Sequence, residues 1–276
     1  MTVNFCVRRI VICAAFLFSF CAFCEKPVIP KYLRPVIGHN KPSFNNLDCI
    51  YVINLKERPE KLARMHRVMS KHGLAYTKFE AINGWELSDL QQAELQGEHS
   101  LSLHGGHIGC MLSHLSVLLD AYNKDFDLIW ILEDDIEILK PLEIIKNCLA
   151  HLSKIDPDWD VFYTDTDSRH PILGHLISYD VAPERPGQKL KPASFYRHRS
   201  VVSRHIMKIH SRFGLYSYFV SKRGIKKMID YFLNKTIWVP IDMEIHYIPG
   251  IREYSTRQDI VTHWTLTPFS DTQNPT

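Results

Sequence analysis

The chain has 276 residues, 45% of them hydrophobic and 23% charged, and a formal net charge of +3. That composition is ordinary for a globular protein and excludes collagen-like or low-complexity architecture. The charge is too small to argue for a nucleic-acid partner, and the length suits one large domain or two small ones.

In chain order the first feature is a leader. Arg8 and Arg9 precede an apolar run from Ile10 to Phe23, which Glu25, Lys26 and Pro27 end. Ala22 and Cys24 are small enough for cleavage after Cys24, so residues 1–24 read as a secretory signal peptide. The run falls short of the about 20 residues of a spanning helix. An uncleaved signal anchor is the alternative, and it would associate the chain with a membrane. Either reading places the chain in the secretory pathway or the cell envelope: the ER or Golgi lumen for a eukaryotic source, the membrane or periplasm for a bacterial one. Residues 25–46 carry Pro27, Pro30, Pro35 and Pro42 and read as a proline-rich linker. The folded domain is expected over 47–276. Beyond the leader only Cys49, Cys110 and Cys148 remain. They form neither a disulfide framework nor a metal cluster. Cys110 and Cys148 lie in apolar helical patterns and read as core residues.

Cys49 to Leu55 is a buried-strand pattern. Pro59 opens a helix to about His72, as proline does well in a first turn, and Gly73 ends it. Tyr76 to Ile82 reads as a second strand and Asn83-Gly84 as a turn. Strand, helix, strand begins a parallel α/β sheet. Gly105 and Gly106 precede a helix from about Ile108 to Asn123. Leu128 to Leu132 is a strand, Pro141 to Leu152 a helix, and Trp159 to Thr164 a strand. Residues 168–200 read as long loops, facing an acceptor. Leu215 to Val220 is a strand, and Ser221 caps a helix to about Leu233. Lys222, Arg223, Lys226 and Lys227 form a basic, solvated face on it.

The most informative stretch is LIWILEDD, residues 128–135. A short apolar strand ends at once in Glu133, Asp134 and Asp135. Adjacent carboxylates repel and resist burial unless something positive joins them. At the carboxyl end of a strand in an α/β sheet, where ligands bind, that joiner is a divalent cation. Mn²⁺ or Mg²⁺ prefers such oxygen ligands and shares them with phosphates. The bland alternative is a solvated acidic loop. Asp165 and Asp167, after the strand VFYT, are a rival acidic pair.

Several segments resemble glycosyltransferase family 25, which includes lipopolysaccharide sugar transferases and collagen galactosyltransferase domains. IYVINLKERPEKLARM resembles the family's opening strand and helix start, and FEAINGWEL its second strand and turn. GHIGCMLSHLSVL resembles its Gly-Cys-x-x-Ser-His helix and WILEDDIEI its acidic metal motif. GLYSYFVSKRGIKKMI and VPIDMEIHY resemble its late strand-helix unit and Pro-x-Asp segment. The resemblance runs from about Cys49 to Asp271. It implies a GT-A type fold, a mixed, mainly parallel sheet flanked by helices. It also implies inverting transfer of a hexose, galactose or glucose, from a UDP-sugar to a hydroxyl. The acceptor would be a saccharide, a lipid-linked glycan or a glycoprotein.

On that resemblance Glu133, Asp134 and Asp135 are expected to hold Mn²⁺ or Mg²⁺, with Asp135 the first choice for a direct ligand. His263 is a candidate nitrogen ligand. Asn54, Arg58, His107, Ser113 and His114 are expected around the nucleotide, phosphates and sugar. Asp242 is the expected base for the acceptor hydroxyl, with Glu244 its rival. Trp85, Tyr218 and Trp264 could stack on sugar faces. Each has a structural alternative: a helix-start charge for Arg58, a buried hydrogen-bonded pair for Ser113 and His114, a turn cap for Asp242, packing for the aromatics. Two other functions use the same carboxylates or fold: a metal-dependent phosphoester hydrolase and a non-catalytic carbohydrate-binding protein.

Overall fold

The computed structural model describes residues 28–42, 44, 46–96, 103–170, 172, 174–176, 178 and 184–264; the leader expectation lies outside them. The first half of the chain supplies β1 (Cys49–Asn54), α1 (Pro59–Lys71), β2 (Thr77–Glu80), α2 (Asp89–Gln96), α3 (Gly105–Asn123), β3 (Leu128–Glu133), β4 (Ile136–Ile138) and α4 (Glu143–Ile155). The second half supplies β5 (Val161–Tyr163), β6 (Ser168–His170), β7 (Gly174–Leu176), α5 (Ala193–Arg197), β8 (Ser200–Val201), β9 (Ile206–Ile209), β10 (Ser217–Ser221), α6 (Lys222–Phe232), α7 (Ile241–Glu244), β11 (Glu253–Thr256) and β12 (Val261–His263).

Eight strands form one sheet in the order β2-β1-β3-β10-β5-β11-β9-β8. Only β10 and β9 run against the other six, so the sheet is mixed and mainly parallel. β1 and β3 pair in parallel and are buried on both faces, which is why each reads as a nearly unbroken apolar run. Their alternate side chains feed two cores. Tyr51, Ile53, Ile129 and Ile131 pack with α3 and α6, whereas Ile50, Val52, Trp130 and Leu132 pack with α1 and α4. The result is three layers, helices on both faces of the sheet, as the resemblance implied.

Helix α3 starts at Gly105, earlier than the expected Ile108, because its first turn lies flush against the chain after β2. A Cβ on Gly84 would sit 1.8 Å from the Gly105 carbonyl oxygen, and one on Gly109 would sit 2.4 Å from the Ile82 carbonyl oxygen. Both obstacles are backbone, so no side chain can step aside. Gly109→Ala is expected to destabilise the chain by about 1–3 kcal/mol, measured as a lower urea midpoint at unchanged slope.

Residues 28–42 do not hang free as a linker. Ile29 is fully buried in the α3 core. Lys31 and Tyr32 both bind Glu94 of α2, the Arg34 backbone N–H donates to Ser116 Oγ, and His39 Nε2 lies 2.7 Å from Asp120 Oδ2. The Asn40 amide donates to the Tyr76 carbonyl. The arm therefore straps α2, α3 and the β2 edge together.

The region 168–200 contains the β6–β7 ribbon and α5 as well as loops. The basic face of α6 is ion-paired rather than merely solvated: Lys222 meets Asp125 and Asp127, Arg223 meets Asp158, and Lys227 meets Asp160. Among the described residues no helix is long and apolar enough to cross a membrane.

Candidate active site

The carboxyl ends of β1 and β3 open onto a cleft between the β1–α1 loop, the Ile82–Trp85 segment and α3. Its wall includes Lys61, Trp85, Cys110, Ser113, His114 and the three acidic residues. The close glycine contacts fix one wall, since Gly84 and Gly105 touch backbone to backbone.

The acidic triplet divides by strand alternation. Glu133 and Asp135 are half-buried, while Asp134 is buried and committed. Asp134 Oδ2 accepts from the Asn54 amide at 2.7 Å, and Lys61 Nζ lies 3.6 Å from Oδ1. Asn54 is only 1% exposed and also donates to the Arg58 carbonyl. It orients the acidic loop from within the protein, so its expected contact with base or ribose gives way to a positioning role. Arg58 stays partly exposed, 3.9 Å from Glu60.

His263 comes from the far end of the chain to the strand that follows the acidic triplet, with its ring against Tyr216. It stands opposite Ile136 in the β12–β4 pair, and the Trp264 N–H donates to the Asp135 carbonyl at 2.5 Å. Arg64 clamps the same loop: its guanidinium donates to the Ile136 carbonyl and lies 4.3 Å above the Trp264 ring. His263 Nδ1 is buried without a hydrogen-bond partner. Burial pushes its pKa below the usual histidine value, partly offset by Asp165 and Glu133. Burial therefore favours the neutral imidazole, the form that ligates a metal. Carboxylate and imidazole are donor types that Mn²⁺ accepts.

On α3, His114 is 1% exposed and spans two partners. Its Nδ1 lies 2.8 Å from the Tyr218 hydroxyl and its Nε2 lies 3.2 Å from Glu133 Oε1. Tyr218 is fully buried, so it cannot stack on a sugar; its work is to orient His114. Ser113 accepts from the Ile82 N–H at 2.8 Å and donates to the Gly109 carbonyl at 2.7 Å. Both bonds are internal and hold the glycine seam, the structural alternative for this residue. Cys110 departs from the core role expected of it: it is half-buried at the cleft, whereas Cys148 is core.

Asp242 lies in the first turn of α7, where Pro240 positions it. Its Oδ2 accepts from the Gly214 N–H at 2.7 Å. Burial holds His107 below the usual histidine pKa, and the Asp242 charge partly offsets that. Glu244 does not face the cleft as a rival base. It is 1% exposed and ion-paired to Arg185, with Tyr231 and the Trp238 N–H as further partners. Burial raises its pKa although Arg185 opposes the rise.

The second acidic pair is also engaged. Asp165 is fully buried, 2.8 Å from Arg212 Nη1, and accepts from Tyr216 and Thr262. Asp167 meets Arg199 at 3.4 Å. Neither carboxylate is available to a cation. Lys61 and Arg64 carry no signal in the sequence beyond helix spacing on α1, so their place at the acidic loop emerges only in three dimensions.

A mixed α/β sheet with a carboxylate-rimmed cleft at the ends of its parallel strands is the frame on which the family match falls, and that match gives the class, a glycosyltransferase. The chain belongs to glycosyltransferase family 25 (LPS biosynthesis protein), whose profile matches residues 48–245. A "Glycosyltransferase 25 family member" of Drosophila melanogaster is 35% identical over 119 residues, 40% of this chain and 19% of that one. "Procollagen galactosyltransferase 2" of Homo sapiens is 28% identical over 148 residues, 49% of this chain and 22% of that one. The human "Inactive glycosyltransferase 25 family member 3" is 22% identical over 48% of this chain and 24% of its own length. The matches thus span about a fifth of the length of these relatives. A crystal structure of a glycosyltransferase involved in glycosylation of the major capsid of PBCV-1 aligns at 14% identity and a TM-score of 0.37, over 82% of this chain and 96% of that one.

Proposed function

We propose that this chain is an inverting, metal-dependent hexosyltransferase. It moves galactose or glucose from a UDP-sugar to a hydroxyl of a saccharide, lipid-linked glycan or glycoprotein. The observation that supports this reading best is the placing of Glu133, Asp134 and Asp135 in the cleft of a family 25 domain, with the buried, unpartnered His263 Nδ1 on the strand paired to β4 just beyond them. Glu133, Asp135 and His263 would hold Mn²⁺ or Mg²⁺, which supplies charge neutralisation for a departing diphosphate.

The remaining chemistry belongs to the side chains. Asn54 and Lys61 hold Asp134 inward, which fixes the loop that carries Asp135. Arg58, partly exposed after β1, would meet a phosphate. Trp85 offers a flat apolar wall for a sugar face. Asp242 takes the proton of the acceptor hydroxyl as that oxygen bonds to the anomeric carbon and the bond to UDP breaks. Its bond from Gly214 holds the carboxylate in one orientation for that transfer.

The test is UDP release from a panel of UDP-sugars by the full-length chain, with Mn²⁺ or EDTA and with or without mixed hydroxyl acceptors. Release that needs both Mn²⁺ and acceptor is the expected result. Asp242→Asn should then lower kcat by about 10²–10⁴. Release without acceptor would replace this reading with the hydrolase. No release and no Mn²⁺-dependent UDP binding would leave the non-catalytic one.

A further inference from the structure

Cys110, His114 and Glu133 bring one sulfur, one nitrogen and one oxygen within 4.8 Å of one another. The cysteine and histidine are four residues apart on α3 and so share a helix face. Glu133 ends the neighbouring strand β3. All three donors thus come from regular elements, which position ligands better than loops do. A tetrahedral ion at about 2.3 Å from sulfur and 2.0 Å from nitrogen sets its ligand atoms roughly 3.3–3.7 Å apart. His114 Nε2 and Glu133 Oε1 already lie 3.2 Å apart. The other ring nitrogen of His114 is engaged by the buried Tyr218 hydroxyl at 2.8 Å, the outer partner that metal-bound histidines carry. The group opens onto the cleft, which leaves a fourth position for water or a ligand.

We infer that Cys110, His114 and Glu133 form a binding site for a thiophilic divalent cation, Zn²⁺ above all, distinct in chemistry from the oxygen-rich set at Asp135 and His263. Thiolate selects Zn²⁺ over Mg²⁺ or Mn²⁺, which prefer oxygen. On binding, the Cys110 thiol gives up its proton to solvent and the sulfur becomes a ligand. Glu133 lies in both sets, so the two ions compete for it. That competition rests on the transferase reading; the binding does not.

Co²⁺ is the probe, because a thiolate ligand gives it a near-ultraviolet charge-transfer band. The protein is the full-length chain carrying Cys6→Ser, Cys13→Ser, Cys21→Ser and Cys24→Ser, which removes the thiols of the leader. The expected result is a saturable band that Zn²⁺ erases and Mn²⁺ does not. Cys110→Ser should abolish it, and His114→Ala should weaken Co²⁺ binding at least tenfold. Cys49→Ser, at a fully buried cysteine away from the cleft, should leave it unchanged. No band in the parent protein, or a band that survives Cys110→Ser, would overturn the inference. Neither outcome touches Mn²⁺-dependent UDP release, so the two proposals fail separately.

Discussion

Asp135→Asn is expected to lower kcat for UDP release at least a hundredfold while the melting temperature stays within about 2 °C. Loss of an outer partner of a metal ligand already costs about 10–100-fold, so loss of a ligand should cost no less. The fold should tolerate the change, because Asp135 is half-buried and the loop around it is held by other means. The Asp135 carbonyl accepts from Trp264, Arg64 binds the Ile136 carbonyl, and Asn54 holds Asp134. Kinetics across a Mn²⁺ titration, with a thermal melt of the same sample, check both halves. Undiminished turnover would remove Asp135 from the ligand set. It would not transfer the role to Asp165 and Asp167, whose carboxylates are bound to Arg212 and Arg199.

The second large effect is on stability. Arg212→Met should cost about 3–5 kcal/mol, since it strands the fully buried Asp165 charge without its partner. For a chain of this size each kcal/mol moves the melting temperature by about 2–4 °C, so a fall on the order of 6–20 °C is expected. The Tyr216 and Thr262 hydroxyls would still donate to Asp165, but two neutral donors do not replace a guanidinium. The double variant Arg212→Met with Asp165→Leu should recover much of the loss, because no charge is then left buried. Differential scanning calorimetry of the three proteins decides it. A single variant that melts with the wild type would show that the pair does not hold the sheet end.

Much of the central sheet was legible because its strands are buried on both faces and read as apolar runs. β1, β3, β5 and β10 fall within two residues of their expected bounds. The shortest strands were not legible, although the edge strand β2 was. β4, β8 and β12 have two or three residues each, too few for any alternation to show. Asp165 looked like a metal residue from its neighbours, and only the fold brings Arg212 to it from 47 positions away. Cys110 was read as core because α3 is apolar nearly all round. A helix of that kind has no polar face to reveal which side borders a cleft. The same uniformity hid the orientation of Ser113, turned to backbone, and of His114, turned to Glu133. Asp242 was named from its resemblance to the family's Pro-x-Asp segment, and the helix that begins there, with Pro240 as its N-cap, was not read from the sequence.

The docked arm shortens the reach of the chain that precedes the domain. Twenty-two residues, 25–46, paid out as a loose tether, would reach on the order of 70 Å. Strapped across α2, α3 and the β2 edge, residues 28–42 contribute none of that reach. Any attachment made through the preceding residues would meet the domain at a short stand-off, on the side that the strap crosses. An expression boundary drawn at Leu47 would also uncover the socket of Ile29, so a shortened protein that clumps would be reporting its missing strap rather than a faulty sheet.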